Sequence, residues 1–543
     1  MVILRILVPD MSNKSDKLLL WLRSDVVIRS LLPLTPTTLS FPNLRKLAAY
    51  QITKHGHSLS YPQWRHVACN KLQLNEDLCW IYFSLFLQLL PNWTNSNWCS
   101  QDQLRPTLSN GPNDDALVTV PFGPFLFFLA LQLVSATTVC SKRDSPNRSL
   151  FGESVSQRLD GALESQVLVF FRSNIEQLLD LAGVLELEGL ADYHKVPKTF
   201  YLAQRGLEAL DVLLEGDDSG ADAQHLIPES FSWLLKRRNK LIRADDQVSI
   251  SELTVLIRSR TVGDPFSLLE PLDLMSVKAS VPYMKTSYTA LPERRLVLLG
   301  NIHDRAVVRS AGSMYNSNVR ISHCSTAQLY LAAAFTCATV DSCRKNTTVV
   351  LGPVHDVMRV RYCYNCTFVV PCGRLIVVSC DNCQFYIKTP SNPVLVGSNR
   401  RLTFAPYNTN FASVSEFVSG VSSNCDLWNK PLSATVEKMP VGETSLWTEL
   451  SPTLFYPKVM PFRGHSVNEL FSLDLPHKFK AELERKRQIF KERLKEEMSQ
   501  LNETEVERLA ASAQERFGLW LKAQGCTKSL NQLEDLAKLL KRK

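Results

Sequence analysis

The chain has 543 residues, 45% of them hydrophobic and 21% charged, with a formal net charge of +8. That balance excludes a disordered chain and leaves room for two or three domains with substantial cores. Fourteen cysteines could signal a secreted disulfide framework. However, the opening Met1-Val2-Ile3-Leu4-Arg5-Ile6 reaches Pro9-Asp10 too soon for a signal peptide, so free thiols in a reducing cytoplasm are expected.

From Gln63 to Leu90 the residues Trp64, Val67, Leu72, Leu78, Ile81 and Leu85 recur at mixed helical spacing, which predicts two helices of a packed bundle. Leu117–Val139 is the most apolar stretch. Its unbroken part after Pro124 is about a dozen residues, against roughly 20 for a membrane span, so it predicts a buried helix opening near Pro124. Helical patterns continue through Ser165–Leu190, Lys198–Leu214 and Ser230–Leu241, with loops expected at 144–154 and 215–224 where Gly, Asp and Ser cluster. Arg65 and His66 have no second polar cluster at catalytic spacing and read as surface residues. The basic run Lys236-Arg237-Arg238-Asn239-Lys240 lacks interleaved aromatics that would stack on bases, and reads as a solvated helix face rather than a nucleic-acid site. Residues 1–290 are therefore expected to form a mainly α-helical N-terminal domain.

The next segment carries two Cys-x-x-Cys pairs, Cys363/Cys366 and Cys380/Cys383. Four thiolates so spaced could hold zinc as a ribbon. A solenoid would instead bring the backbone back in phase every 17 to 20 residues, and it would have to repeat beyond the cysteines. It does: Val319–Cys324 and Ala338–Cys343 match Met358–Cys363 and Leu375–Cys380. Val394–Asn399 is aligned with Val377–Asn382, which places Asn365, Asn382 and Asn399 in one stack. Thr367-Phe368-Val369, Gln384-Phe385-Tyr386-Ile387 and Leu402-Thr403-Phe404 repeat the second half of each turn. β-branched and aromatic segments between small or polar corners suit a parallel β-helix over residues 291–420, with cysteines as compact inward corner residues and no metal or cofactor.

Residues 421–476 carry prolines together with Trp428, Trp447, Phe455, Tyr456 and Phe462, and are expected to pack on the β-helix and cover its open edge. Residues 477–543 predict a basic α-helical region. Leu483, Ile489, Phe490, Leu494 and Met498 form one stripe, and a second helix starts at Asn502 with Val506, Leu509, Phe517, Trp520 and Leu521 on its apolar face. Gly525 would end that helix and Ser529 would cap a last one. From Pro476 onward sixteen Lys and Arg stand against eleven Asp and Glu, so much of the positive charge is local and could contact acidic surfaces such as tubulin.

The signatures of dinucleotide, phosphate-loop, zinc-protease and serine-hydrolase sites are missing from the sequence. Arg374–Cys380, Phe385-Tyr386-Ile387, Ser391–Leu395 and Leu402–Asn408 resemble the tubulin-binding cofactor C (C-CAP) domain family. Trp64–Cys69, Lys71–Leu74 and Asp77–Trp80, outside the shared domain, resemble one branch of it. The resemblance implies an α+β multidomain chain whose β-helix is right-handed and parallel. It also implies an arginine finger, set in a Gln-x-Arg strand motif, with which family members stimulate GTP hydrolysis on tubulin or Arf-like GTPases. An ungapped alignment puts Arg374 at the Gln position and Ile376 at the Arg position. Loss of such a finger removes about 10³ to 10⁵ in rate, and Arg374 is offset by about 6.5 Å along the strand. The expectation is a non-enzymatic protein without nucleic-acid or membrane-spanning function. Arg374, Ile376, Gln384 and Tyr386 are its candidate partner-binding surface. The resemblance further implies cytoplasmic and cytoskeletal placement at the centrosome and spindle pole, with roles in Golgi positioning and cell shape. A GTPase activator using Arg374 and a zinc-ribbon adaptor are the alternatives.

Overall fold

The computed structural model describes residues 18–33, 36, 38–90, 118–134, 163–187, 195–218, 226–238, 247–263, 265–266, 282–286, 289–310, 312–409, 426–434, 446–458, 475–499 and 503–523. They divide between two compact units. The first ends at Glu449, and the second takes Leu450–Lys458 together with the chain from Asp474.

The first unit opens with β1 (Leu19–Leu22), α1 (Ser24–Ser30), α2 (Phe41–His55), β2 (Ser58–Ser60), α3 (Tyr61–Asn70) and α4 (Glu76–Leu87). β3 (Thr119–Pro121), α5 (Phe122–Leu131), α6 (Leu163–Val184), β4 (Tyr201–Leu202) and α7 (Gln204–Leu210) follow. β5 (Leu214–Asp217), β6 (Glu229–Ser230), α8 (Phe231–Arg237), β7 (Val248–Ser249) and α9 (Ile250–Arg260) complete this part. Local chemistry sets the helix starts. Ser60 and Gln63 form a capping box on α3, and the Asn75 side chain accepts from Leu78 N at 2.6 Å on α4. Every residue of α4 from Leu78 to Leu87 is buried, as is almost all of α5; a helix apolar all round has to be enclosed on all sides. Edge-on aromatic contacts tie α5 to α3 and α4, with Trp64–Phe125 at 4.9 Å and Phe86–Phe125 at 5.2 Å between ring centroids.

The two helices expected between Gln63 and Leu90 are α3 and α4, and the apolar stretch after Leu117 is the buried α5. The pattern at Lys198–Leu214 yields only the short α7. The loop expected at 215–224 is corrected at its start, because Leu214–Asp217 is a buried strand paired antiparallel with β1. Gly216 is there for packing rather than turning: a Cβ on it would lie 2.4 Å from the Leu19 carbonyl oxygen. The loop expected at 144–154 lies outside the described residues.

The β-helix has about six turns. Its strands are β8 (Tyr283–Thr286), β9 (Leu296–Gly300), β10 (Ala306–Ser310), β11 (Ser317–Ser322), β12 (Gln328–Ala332), β13 (Phe335–Asp341) and β14 (Arg344–Leu351). β15 (Val354–Arg361), β16 (Tyr364–Val378), β17 (Gln384–Lys388), β18 (Val394–Val396), β19 (Leu402–Pro406), β20 (Leu432–Ser433) and β21 (Trp447–Glu449) continue it. Ladder one runs β9-β11-β13-β15-β16-β18-β20, all parallel, with β8 antiparallel at its start. Ladder two runs β10-β12-β14-β16-β17-β19-β21. β16 spans the corner between them and belongs to both. β20 and β21, from the aromatic and proline-containing segment, add the last rungs to each ladder.

Two corners of each turn rest on left-handed residues. Asn301, His323, Ser342, Tyr362 and Ser379 have φ of 48–55°, and Asp304, Thr326, Lys345, Asn365, Asn382 and Arg401 have φ of 49–54°. Glycine is the usual occupant of this region. Here ladder hydrogen bonds on the neighbouring turns hold the conformation in place, for example Ser342 N to Arg361 O at 3.0 Å and Tyr362 N to Val378 O at 3.0 Å. Inside, Phe368, Phe385 and Phe404 stack at 5.1 and 5.2 Å.

Val319, Ala338, Met358 and Leu375 share one rung position, in the expected phase. One turn later the phase is corrected: Val377 pairs with Leu395, not Val394. The Asn stack changes with it. Asn382 donates to Asn365 at 3.2 Å and Asn365 to Asn346 at 2.6 Å. Asn399 turns inward instead and accepts from Cys380 N at 2.9 Å.

In the second unit, α10 (His477–Ser499) and α11 (Glu503–Ala523) are helical. Phe455 and Phe479 meet edge-on at 5.1 Å, and Lys486 donates to the carbonyls of Thr453 and Phe455 at 2.6 and 3.1 Å. Leu483 and Ile489 are half-buried, while Phe490, Leu494 and Phe517 are exposed. The side chains of Met498, Val506, Leu509, Trp520 and Leu521, with Asn502, Gly525 and Ser529, lie outside the described residues.

Candidate functional site

Alternation along β16 points Arg374 and Ile376 to the outer face of ladder one. That face is covered. Ile376 is fully buried and shares one continuous apolar core with Val357, Val378, Val394 and Val396 of the ladder and with the N-terminal helices. Arg374, 2% exposed, donates from Nη1 to Ser84 Oγ at 2.9 Å. With its amide oxygen turned toward the guanidinium, Gln88 accepts from Nη2 at 2.8 Å and Nε at 2.9 Å. Ser84 Oγ in turn donates a hydrogen bond to the Ile81 carbonyl at 3.1 Å. These partners are neutral, and burial pulls the Arg374 pKa down to about 9. The guanidinium thus fastens β16 to α4.

The other two candidate residues lie elsewhere. Gln384 and Tyr386 sit on β17 in ladder two, Gln384 exposed and Tyr386 half-buried. Gln384 belongs to an outward row with Gln328, Thr348, Thr367 and Thr403, and Tyr386 to the adjoining row with Val369 and Ala405. The four sequence candidates therefore occupy two faces. Among the described residues Gln384 is the exposed one of the four, and Tyr386 is half-buried in a row whose Val369 and Ala405 are buried.

Sequence reading missed Ser84 and Gln88, although they are polar residues four apart in an otherwise apolar run and so share one face of α4. It also missed a charged joint between the helical part and the start of the β-helix. Arg294 pairs with Glu215 at 3.0 Å and with Asp25 at 3.5 Å, Arg23 with Asp25 at 3.0 Å, and Arg29 with Asp356 at 2.8 Å. Trp21 Nε1 donates to Glu215 at 2.9 Å. The two acids diverge. Burial works against the Asp25 carboxylate, but Arg23, Arg294 and Arg29 outweigh it and hold the pKa near 2, whereas burial pushes Glu215 upward. Asp25, Arg29, Glu215 and Arg294 line a cleft of about 420 Å³.

The cysteine corners make local contacts. Cys363 and Cys380 direct Sγ to the carbonyls of Arg361 and Val378 at 3.2 and 3.5 Å, and Cys366 and Cys383 to those of Tyr364 and Asp381 at 3.3 and 3.4 Å. Among the described residues no three His, Cys, Asp or Glu side chains are grouped to hold a metal ion, and no helix is long and apolar enough to cross a membrane.

The class defined by this architecture is a parallel β-helix protein whose ladder-one face is closed by a helical domain of the same chain. Residues 316–432 match the family model for tubulin binding cofactor C. It is similar to TBCC domain-containing protein 1 of Danio rerio, 27% identical over 94% of this chain and 93% of that one. The proteins of the same name from Mus musculus and Homo sapiens are 26% and 24% identical over 95% of this chain, and over 98% and 97% of theirs. The similarity thus runs through the N-terminal helices as well as the β-helix.

Proposed function

We propose that this chain is a non-enzymatic, cytoskeleton-associated binding protein. In this reading the ladder-one face of its β-helix serves internal packing, and ladder two, with Gln384 and Tyr386, meets protein partners. The observation that carries it is the burial of Arg374 and Ile376 beneath α4. A GTPase activator must bring a cation to the transferred phosphoryl group. The position aligned with that cation is an apolar residue inside a core, and the nearby arginine is engaged by Ser84 and Gln88. Arg359, one rung before Ile376 on the same face, is covered as well, at 7% exposure.

The names of these relatives describe a domain and not a catalytic activity. Their full-length similarity supports one shared arrangement of helices and β-helix. Placement at the centrosome and spindle pole, with roles in Golgi positioning and cell shape, belongs to this proposal and rests on the family resemblance. Single-turnover GTP hydrolysis by tubulin and by an Arf-like GTPase, with and without the full chain, tests the enzymatic side. The expected result is no acceleration, and stimulation lost in Arg374→Ala would overturn the reading.

A further inference from the structure

Where the end of α1 meets ladder one there is a second, small cavity of about 40 Å³, lined by Arg320, Arg359 and Arg361 together with Asn318, Thr339 and the chain at Val27–Ile28. At roughly 10–15 Å³ for each ordered water, it has room for about three waters, or for one tetrahedral oxyanion. It adjoins the 420 Å³ cleft, sharing Asn318 and Cys337 with it.

The register brings the arginines together. Arg320, Thr339 and Arg359 occupy one outward row on successive rungs, about 10 Å from first to last at the usual strand spacing. Arg361 lies two residues beyond Arg359, on the same side of the strand. No carboxylate lines the cavity. The nearest acids are already engaged, Asp341 by Arg361 and Asp356 by Arg29. Arg359 is the telling residue. Its Nη2 donates to the Ile28 carbonyl at 3.0 Å, which is open to it because Leu32 N donates to Gln132 instead. Its buried Nε has no hydrogen-bond partner, and no carboxylate faces it among the described residues. Burial and the neighbouring Arg361 together push its pKa down to about 10. A cation enclosed in this way is destabilised unless an anion joins it.

We infer that this cavity is a binding site for a single phosphate-like oxyanion, free or as the terminal group of a small phosphomonoester, held by Arg359 with Arg320 and Arg361. The cavity admits one such group and no more, and the adjoining cleft would take the remainder of a monoester. Arginine is suited to the role because its planar fork can hold two oxygens while another donor serves a carbonyl. The site is separate from the Gln384 and Tyr386 face, and the inference stands whatever that face binds.

The test uses the full chain at constant ionic strength in chloride, titrated with inorganic phosphate and separately with glycerol phosphate, and read by calorimetry and by phosphorus NMR line broadening. Saturable one-site binding of either probe is expected. Arg359→Gln should weaken it about 10- to 100-fold, the range for losing a charged hydrogen bond, while Lys345→Gln, an exposed cation on another corner, should leave it unchanged. Binding of phosphate alone identifies a free ion, and binding of both identifies a monoester pocket. Should Arg359→Gln fail to fold, Arg320→Gln takes its place. Failure of both probes to saturate the wild type, or an equal response in wild type and variant, overturns the site and leaves Arg359 as a cap on α1.

Discussion

At the scale of single residues, Arg374 tests whether a buried guanidinium is a tool or a fastener. Truncation to Ala would open a cavity in the core and orphan Ser84 Oγ and the Gln88 amide, and is expected to cost about 2–5 kcal/mol. Arg374→Met keeps most of the volume and removes a charge that burial disfavours, so it should stay within about 1.5 kcal/mol of the wild type or exceed it. Urea midpoints of the full chain compare the two. A Met variant as unstable as Ala would show that the polar network itself carries the stability. This role was not legible in the sequence. An arginine two residues from the aligned position of a catalytic one reads as surface, because nothing local reveals that its partners lie 290 residues away.

At the scale of elements, the repeat was legible and its corners were not. Alternating Val, Ile and Leu around a compact Cys at each corner set the phase of β11, β13, β15 and β16, since a solenoid stacks like on like. The phase slipped at β18, where Gly397 follows Ser379 in the first left-handed corner, Arg401 rather than an Asn follows Asn382 in the second, and Asn399 caps from inside. Non-glycine residues in left-handed conformation leave no sequence signal of their own; ladder bonds from adjacent turns impose them. The strand β5 was hidden for a related reason, since its pairing with β1 overrides the turn-forming Gly and Asp in Leu214–Asp217. The cysteine corners give a direct test of packing against metal binding. A structural zinc site contributes about 10–16 kcal/mol to folding, so a ribbon would unfold with a chelator. Packing corners predict a melting temperature unchanged by phenanthroline, and less than about one zinc per ten chains after purification. Stoichiometric zinc together with chelator-induced melting would restore the ribbon.

At the scale of the whole molecule, the question is whether the helical part is a removable lid on ladder one or part of one fold with it. A lid would leave a surface that tolerates water. Here Val357, Ile376, Val378, Val394 and Val396 are all at most 3% exposed, and α4, which is apolar around its circumference, lies on the same core. Arg29 of α1, Ser84 of α4 and Gln88 just past the end of α4 add directed bonds across the joint. Exposing five such aliphatic side chains would forfeit about 1.5–3 kcal/mol each, comparable with the whole stability of a typical domain, and would leave Arg359 and Arg374 without their partners on α1 and α4. Residues 291–434 expressed alone are therefore expected to be insoluble or to bind a hydrophobic dye strongly. Residues 18–449 should be soluble, with a single cooperative melting transition, and calorimetry with dye binding on both pieces separates the cases. A soluble, cooperatively folding β-helix fragment would show that the joint can open, and the ladder-one face would then become available to a partner.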